Sequence, residues 1–399
     1  MGGPRRDRLA LALIVWGVLV AQVLLYPGVE DVVTALGAPG DLSASMWFLV
    51  AEFGAFVAFA SVWGAISDAT GRRIPLVAVG ALGGAASYLA LAAVPEVGAS
   101  FAVVLFVRVV GGAFTIGAFS LAITMLADLS GGNGRNMGAA GIAIGLGAAL
   151  GSVLGGRLAT FDPLAPLFGA AALLVAVAGL TLVVPDNVPG GADASPRAVL
   201  ARLARRPELG VPFAFGFIDR LTAGFFALVG VAYFRDAFGL DAFGAGLVLA
   251  LFFLPFAVLQ YPLGSLSDRI GRFTPVVVGS LAYGAVIVAV GLAPTLPVAA
   301  GLMVLVGVCG ALVAPATMAL VTDVADAGER GAALGGFNLF GSLGFLGGFL
   351  LGGVTATTLG YLDAFLVVGG TEIAIALIAA RAVRRLSPGE GVGVVTVGD

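Results

Sequence analysis

The chain has 399 residues, of which 60% are hydrophobic and 11% charged, and its formal net charge is −3. Soluble domains carry about 25% charged residues, so this much apolar surface has no place in a water-soluble fold, and so small a charge supplies no basic face for nucleic acid. Histidine and lysine are absent and cysteine occurs once, at Cys309, which removes the commonest general base, Schiff-base chemistry, disulfide frameworks and cysteine metal clusters; neither a metal nor a cofactor is expected.

A helix needs about 20 mainly apolar residues to cross the hydrocarbon core, and runs of that length recur from end to end. The first, Leu9 to Tyr26, follows Arg5, Arg6 and Arg8 and is expected to stay in the bilayer rather than be cleaved. It carries Gln22 and Tyr26, polar enough to contact a substrate. Span two, Ser45 to Ile66, holds Glu52 in its outer part and leads into Gly64-Ala-Ile-Ser-Asp68-Ala-Thr-Gly71-Arg72-Arg73. Span three is Ile74 to Val94. Span four, Ser100 to Leu126, places Arg108 at a depth similar to that of Glu52, and Asp128 and Arg135 follow it. Span five, Met137 to Gly156, reads Gly147-x-x-x-Gly151-Ser152-x-x-Gly155-Gly156, with glycines on one face that permits close helix approach. Span six is Leu164 to Val184.

The longest polar segment, Pro185 to Gly210, contains Gly190, Gly191, Pro196 and a basic stretch around Arg202 to Arg206. It reads as a linker carrying a short amphipathic helix on the inner membrane surface. The predicted division is therefore a six-helix unit over 1–184, a cytoplasmic linker over 185–210 and a second six-helix unit with a short tail over 211–399. Spans seven to twelve run from Val211 to Tyr233, Phe243 to Leu266, Pro275 to Leu292, Leu296 to Val321, Ala333 to Val354 and Tyr361 to Ala380. Span seven contains the adjacent charges Asp219 and Arg220. Neighbouring residues diverge by about 100° around a helix, so one is expected to face a cavity and the other an interface. Gln260, Tyr261 and Asn338 are further polar candidates for substrate contact, and Glu372 lies in span twelve.

Arginine sets the orientation. Outside the spans only Arg157 and Arg235 fall in outer loops, and the others cluster on the opposite side, which puts both termini in the cytoplasm. The halves also repeat. Gly264-Ser-Leu-Ser-Asp268-Arg-Ile-Gly271-Arg272 follows span eight as Gly64 to Arg73 follows span two. Asp323 and Arg330 after span ten repeat the spacing of Asp128 and Arg135, and Gly344, Gly348 and Gly352 in span eleven repeat the stripe of span five. Such duplication is common in transporters. Physically, the loop glycines allow tight reversal, the aspartates stand at the membrane boundary and the arginines face the anionic inner leaflet.

These residues carry a resemblance. Gly64 to Arg73 resembles the signature G-x-L-[AS]-D-x-x-G-R-[RK] between helices two and three of the major facilitator superfamily, and Gly264 to Arg272 resembles its second-half copy. The resemblance implies an all-α integral membrane fold of twelve transmembrane helices in two six-helix bundles, with helices three, six, nine and twelve as outer scaffold, which sets Glu372 aside. It also implies a cytoplasmic gate tying the two halves together through Gly64, Asp68, Gly71, Arg72, Arg73, Gly264, Asp268, Gly271 and Arg272, with Asp128, Arg135, Asp323 and Arg330. A role in topology alone is the alternative, foremost for Arg73. Ala69 stands where the family often has a basic residue, which weakens the first-half network.

Charges inside spans are costly and mark functional sites by default. Glu52 and Arg108 are positioned to pair, either as a carboxylate that exchanges a proton as the cavity opens and closes or as a static ion pair between helices. Arg108-Val-Val-Gly-Gly resembles the superfamily's R-x-x-x-G motif associated with proton coupling, with Gly111 in place of its frequent glutamine. Span five resembles the G-x-x-x-G-P-x-x-G-G motif of antiporters, with Ser152 replacing the proline that kinks it, so plain packing by Gly147, Gly151, Gly155 and Gly156 is the alternative reading.

The combined expectation is a carrier working by alternating access, not an enzyme, that exports small amphipathic organic compounds in exchange for protons. Uptake of a metabolite by symport is the alternative, with a non-transporting sensor or a polytopic enzyme behind it. No H-E-x-x-H or G-x-S-x-G occurs, and without lysine no phosphate-binding P-loop can exist. The expected partners are a small-molecule substrate, protons and the lipid bilayer, with no nucleic acid. The expected setting is a monomer spanning a prokaryotic plasma membrane many times.

Overall fold

The computed structural model describes residues 4–130, 133–186, 205–326 and 329–387. The helices are α1 (Pro4–Val23), α2 (Val29–Ala35), α3 (Leu42–Thr70), α4 (Ile74–Val97), α5 (Phe101–Asp128), α6 (Asn133–Ala159) and α7 (Ala165–Val183) in the first half. The second half has α8 (Pro207–Phe238), α9 (Ala242–Ile270), α10 (Thr274–Gly291), α11 (Leu296–Val324), α12 (Ala333–Thr358) and α13 (Tyr361–Leu386). Eleven of these are long and apolar enough to cross a membrane. The twelfth span is α1, whose charges Arg5, Arg6, Asp7 and Arg8 crowd its first turns and leave Leu9 to Val23 apolar. No strand occurs among the described residues, as expected where lipid offers the backbone no partners and each span must close its own hydrogen bonds.

Helix ends follow local chemistry. The side chain of Asp41 accepts the Ala44 amide at 2.7 Å to start α3, and Asp241 accepts that of Gly244 at 2.7 Å to start α9, the same cap in both halves. At the other surface Asp186 accepts the amides of Arg73 and Ile74 at 3.0 and 3.2 Å, which pins the end of α7 to the start of α4. Helix α1 stops at Val23 rather than Tyr26, because Pro27 disfavours helical backbone at the residue before it. The chain then forms α2, a short helix between the first two spans that buries Val29, Val32 and Val33. Several spans extend beyond their apolar runs into polar residues, α3 to Thr70 and α9 to Ile270 among them. The amphipathic linker helix and most of the tail fall outside the described residues.

Small residues set the packing. An ideal Cβ on Gly151 would lie 3.1 Å from the Val20 carbonyl oxygen and one on Gly155 2.1 Å from that of Leu24, while Gly147 meets Trp16, so the span-five stripe lies against α1. In the second half Gly344 and Gly348 bring α12 to within 2.0 and 2.2 Å, by the same measure, of the Phe217 and Leu221 carbonyls of α8. Gly352 meets the Phe225 ring of the same helix. Gly156 instead faces Ala242, and together with the pairs Gly145 to Ala257 and Gly246 to Ser152 it forms a seam between α6 and α9 that joins the halves. One-turn π-bulges at Phe226–Gly230 in α8 and Gly348–Gly352 in α12 pack against each other and against α3 of the first half, and such bulges are frequent at functional positions.

The two halves meet from the outer surface down to mid-membrane. Arg235 of α8 pairs with Asp31 of α2 at 2.9 Å. Gly353 packs on Met46, and the Phe53 ring stacks on that of Phe345 at 4.6 Å with Phe349 and Tyr26 edge-on around them. At the cytoplasmic surface no ion pair among the described residues joins the two halves, although Arg206 of the linker pairs with Asp326 and Glu329 of the second, and Asn338 and Phe340 of α12 are exposed. Among the described residues the contacts that join the halves thus gather towards the outer side, and no ion pair between the halves closes the inner one.

Candidate functional site

The most deeply buried ion pair among the described residues joins Glu52 on α3 to Arg108 on α5, with side chains 1% and 2% exposed. They form a direct ion pair in which Arg108 Nη2 donates to Glu52 Oε2. Tyr88 on α4 donates its hydroxyl to Glu52 Oε1 at 3.3 Å, Arg108 Nε reaches the Phe48 carbonyl at 3.4 Å, and the guanidinium lies 4.2 Å above the Phe48 ring. Close approach makes this possible: a Cβ on Gly112 would fall 2.5 Å from the Glu52 carbonyl oxygen, so α3 and α5 cross at the pair. Both carboxylate oxygens are thus satisfied, one by a cation and one by a neutral hydroxyl, in a site closed to bulk water. Phe53, the next residue along α3, faces the other half in the aromatic roof. Tyr88 was missing from the sequence reading; its only signal was a hydroxyl in an otherwise apolar span.

Gln22 and Tyr26 are both buried near the outer end of α1. Tyr26 meets Phe349 edge-on at 6.4 Å, while Gln22 Nε2 has no hydrogen-bond partner among the described residues. Asp219 is buried and Arg220 is 34% exposed, as divergent neighbours should be, yet the arginine is long enough to fold back until Nε is 3.6 Å from Asp219 Oδ2. The two therefore share a contact although their exposures diverge as the helix angle predicts. Tyr261 and Asn338 are exposed, and Gln260 faces Gly141 across the α6 to α9 seam.

The loop motifs take up different pairings in the two halves. Arg272 donates to Asp268 at 2.6 Å, Asp323 at 2.9 Å and Ser267 at 2.9 Å. In the first half it is Arg73, one residue further on, that pairs with Asp128 and reaches Ser67 at 3.3 Å. Asp68 and Arg72 are exposed and make no ion pair among the described residues. The cause is the turn. Both glycines have positive φ, but Gly71 sits at φ 63°, ψ 22° and Gly271 at φ 83°, ψ 174°, so the chains leave their helices in different directions. Arg330 donates to the Thr322 carbonyl at 3.2 Å, and the Arg135 side chain lies outside the described residues. Gly64 faces open space and Gly264 lies near Pro315. Burial pushes the Arg272 guanidinium down, but its hydrogen bonds to Asp323 and Asp268 outweigh this and hold it above its ordinary value.

A family model described as Major Facilitator Superfamily matches residues 11–234 and 213–394. Among solved structures, the chain is similar to a bacterial homolog of the human lysosomal transporter Spinster in an inward-facing, unoccupied conformation, with 15% identity, a TM-score of 0.80 and coverage of 96% of this chain and 98% of that one. It is also similar to the human organic anion transporter MFSD10 (22% identity, TM-score 0.68, 95% and 100% covered) and to the nucleoside transporter NupG (15%, 0.74, 94% and 98%). At such identities the structural likeness speaks for the fold, and the family match runs along nearly the whole sequence. Twelve spans in two repeated bundles, paired loop motifs and that match together place the chain in the Major Facilitator Superfamily, as a multi-pass membrane transporter of small molecules.

Proposed function

We propose that the protein is a secondary active carrier that exports small amphipathic organic compounds in exchange for protons, with Glu52 as a proton-exchanging carboxylate. The observation that carries this is the Glu52, Arg108 and Tyr88 cluster. It is buried in the first bundle, and its helix α3 also bears Phe53, which closes the roof against α12. A change at the roof is thereby transmitted along one helix to the carboxylate. Opening the roof admits water to the pair, and neutralising Glu52 releases Arg108, so protonation and the state of the gate are linked. The aromatic roof of Phe53, Phe345, Phe349 and Tyr26 suits lipophilic parts of a substrate. The cytoplasmic opening is the loading arrangement for export. In this reading Asp219 and Arg220 line the pathway, while Asp68, Arg72, Arg73, Asp128, Asp268, Arg272, Asp323 and Arg330 close the cytoplasmic side in the opposite state, in a prokaryotic plasma membrane.

The test is substrate-driven proton movement in proteoliposomes, using compounds found by growth screening of an overexpressing strain. Glu52→Gln is expected to retain substrate binding and lose proton movement. Undiminished coupling would end the role of Glu52, and substrate moving in the same direction as protons would replace exchange by symport.

A further inference from the structure

The interior of the second bundle holds a polar cluster that its own side chains leave incomplete. Glu372 of α13 is fully buried and neither of its carboxylate oxygens has a hydrogen-bond partner among the described residues. The same is true of Asp219 Oδ1 on α8 and of the Ser280 and Tyr283 hydroxyls on α10. These groups are neighbours. Ser280 lies one turn before Gly284, on the face of α10 that meets the Glu372 Cβ, Tyr283 adjoins that crossing, and α8, which bears Asp219, also packs against α13. Helices α10 and α13 cross backbone to backbone one turn from Glu372, where a Cβ on Gly284 would lie 2.5 Å from the Gly369 carbonyl oxygen and 3.1 Å from the Glu372 Cβ. The Tyr283 hydroxyl reaches α11, 3.1 Å from the Cβ position of Gly310.

The charges do not balance. The groups that face the cluster are Asp219 and Arg220 from α8, Tyr283 from α10, Cys309 from α11 and Glu372 from α13. Two carboxylates therefore oppose one guanidinium, and among the described residues that guanidinium forms an ion pair only with Asp219, at 3.6 Å. An uncompensated carboxylate in an apolar interior costs so much that it takes up a counter-charge. The first bundle shows the complete form of the same chemistry, since both oxygens of Glu52 are engaged by Arg108 and Tyr88. Glu372 has a serine and a tyrosine nearby but no arginine.

We propose that Asp219, Glu372, Ser280 and Tyr283 form a binding site for one monovalent cation, a proton or a sodium ion, inside the second bundle. The five free oxygens come from three helices, and the cation supplies the missing unit of positive charge. Its route is from the cytoplasmic opening, past the partly exposed Arg220, to Asp219 and then to Glu372. The site goes beyond the exchange role of Glu52, and either can fail while the other stands.

The experiment needs no transported substrate. The full chain is reconstituted in lipid, and infrared difference spectra record the carboxylic acid C=O band in two arms: raising the pH in sodium-free choline buffer, and adding sodium chloride at constant pH. Wild type is expected to lose band intensity in at least one arm, and that loss is expected to be reduced in Glu372→Gln and in Asp219→Asn. A band that answers only to pH identifies the proton, and one bleached by sodium at constant pH identifies sodium. Ser280→Ala and Tyr283→Phe keep both carboxylates, so they test the site even if the charge variants fail to fold. Each is expected to weaken apparent cation affinity about tenfold, as loss of one hydrogen bond to a charged group would. Spectra in which Glu372→Gln and Asp219→Asn match wild type in both arms, or affinities unmoved in Ser280→Ala and Tyr283→Phe, would overturn the site.

Discussion

Arg108 shows how a membrane interior tolerates charge. Its guanidinium has a carboxylate, a carbonyl and an aromatic face around it, so the cost of burial is shared among Glu52, Phe48 and Tyr88. Removing one partner is different from removing both. Arg108→Ala is expected to cost about 3 to 5 kcal/mol, because Glu52 is left buried without a cation, and to lower the midpoint of thermal unfolding in detergent. The double variant Glu52→Gln with Arg108→Gln keeps hydrogen bonding without net charge and is expected to recover most of that loss. The depth and charge of Glu52 and Arg108 were legible in the sequence, because each is a lone ionisable group in an apolar run. Tyr88 was not, since a tyrosine in a membrane helix serves equally at a lipid interface, and only the fold decides which carboxylate it meets. The same holds for Glu372, set aside with the scaffold helices although it is among the most deeply buried carboxylates of the described chain.

Helices pack where glycine lets backbones touch, and the two stripes of small residues do the same work in each half. Gly344→Leu is expected to prevent α12 from seating on α8, since even a Cβ would lie 2.0 Å from the Phe217 carbonyl oxygen. Gel filtration should show aggregated or unstable protein. Gly335 of α12, exposed and with no atom within 4 Å of its Cβ position, is the control: Gly335→Ala is expected to be neutral or stabilising by up to about 1 kcal/mol. The stripes themselves could be read from spacing, but their neighbours could not. Helix α2 escaped notice because seven residues in a polar loop offer no long apolar face. Gly71 and Gly271 carry a further lesson: the same motif letters hide a change of about 150° in ψ, which moves the pairing arginine by one residue.

For the whole molecule, the number of spans, the duplication and the orientation followed from hydropathy and arginine placement. The conformational state did not, because one sequence must support both an outward and an inward opening. Outside the aromatic roof, the outer side is held by an ionic contact between Arg235 and Asp31, with Glu30 beside it. Burial pushes the Glu30 carboxyl above its ordinary value, with Arg235 opposing. A raised value means that the closed form binds the proton more tightly. Closure is therefore favoured fully below the ordinary carboxylate range and loses that support as external pH rises through the raised value. Labelling of Phe53→Cys by an impermeant maleimide, in a Cys309→Ser background, reports outer opening. It is expected to increase with external pH, to lose that dependence in Glu30→Gln, and to rise at all pH values in Arg235→Gln. Labelling that falls as the medium becomes alkaline would contradict this sign.

The seam between α6 and α9 sets how such a molecule can move. Where large side chains interdigitate, ridges and grooves select one crossing angle and resist change. Here glycine, alanine and serine bring the two backbones together at Gly145, Ser152 and Gly156, so at those points no large side chain locks a particular tilt. Two rigid bodies resting on such a line can roll about it while staying in contact. In the exchange cycle proposed above, the seam serves as an axle, leaving the outer ionic contact and the inner loops to decide where each swing stops.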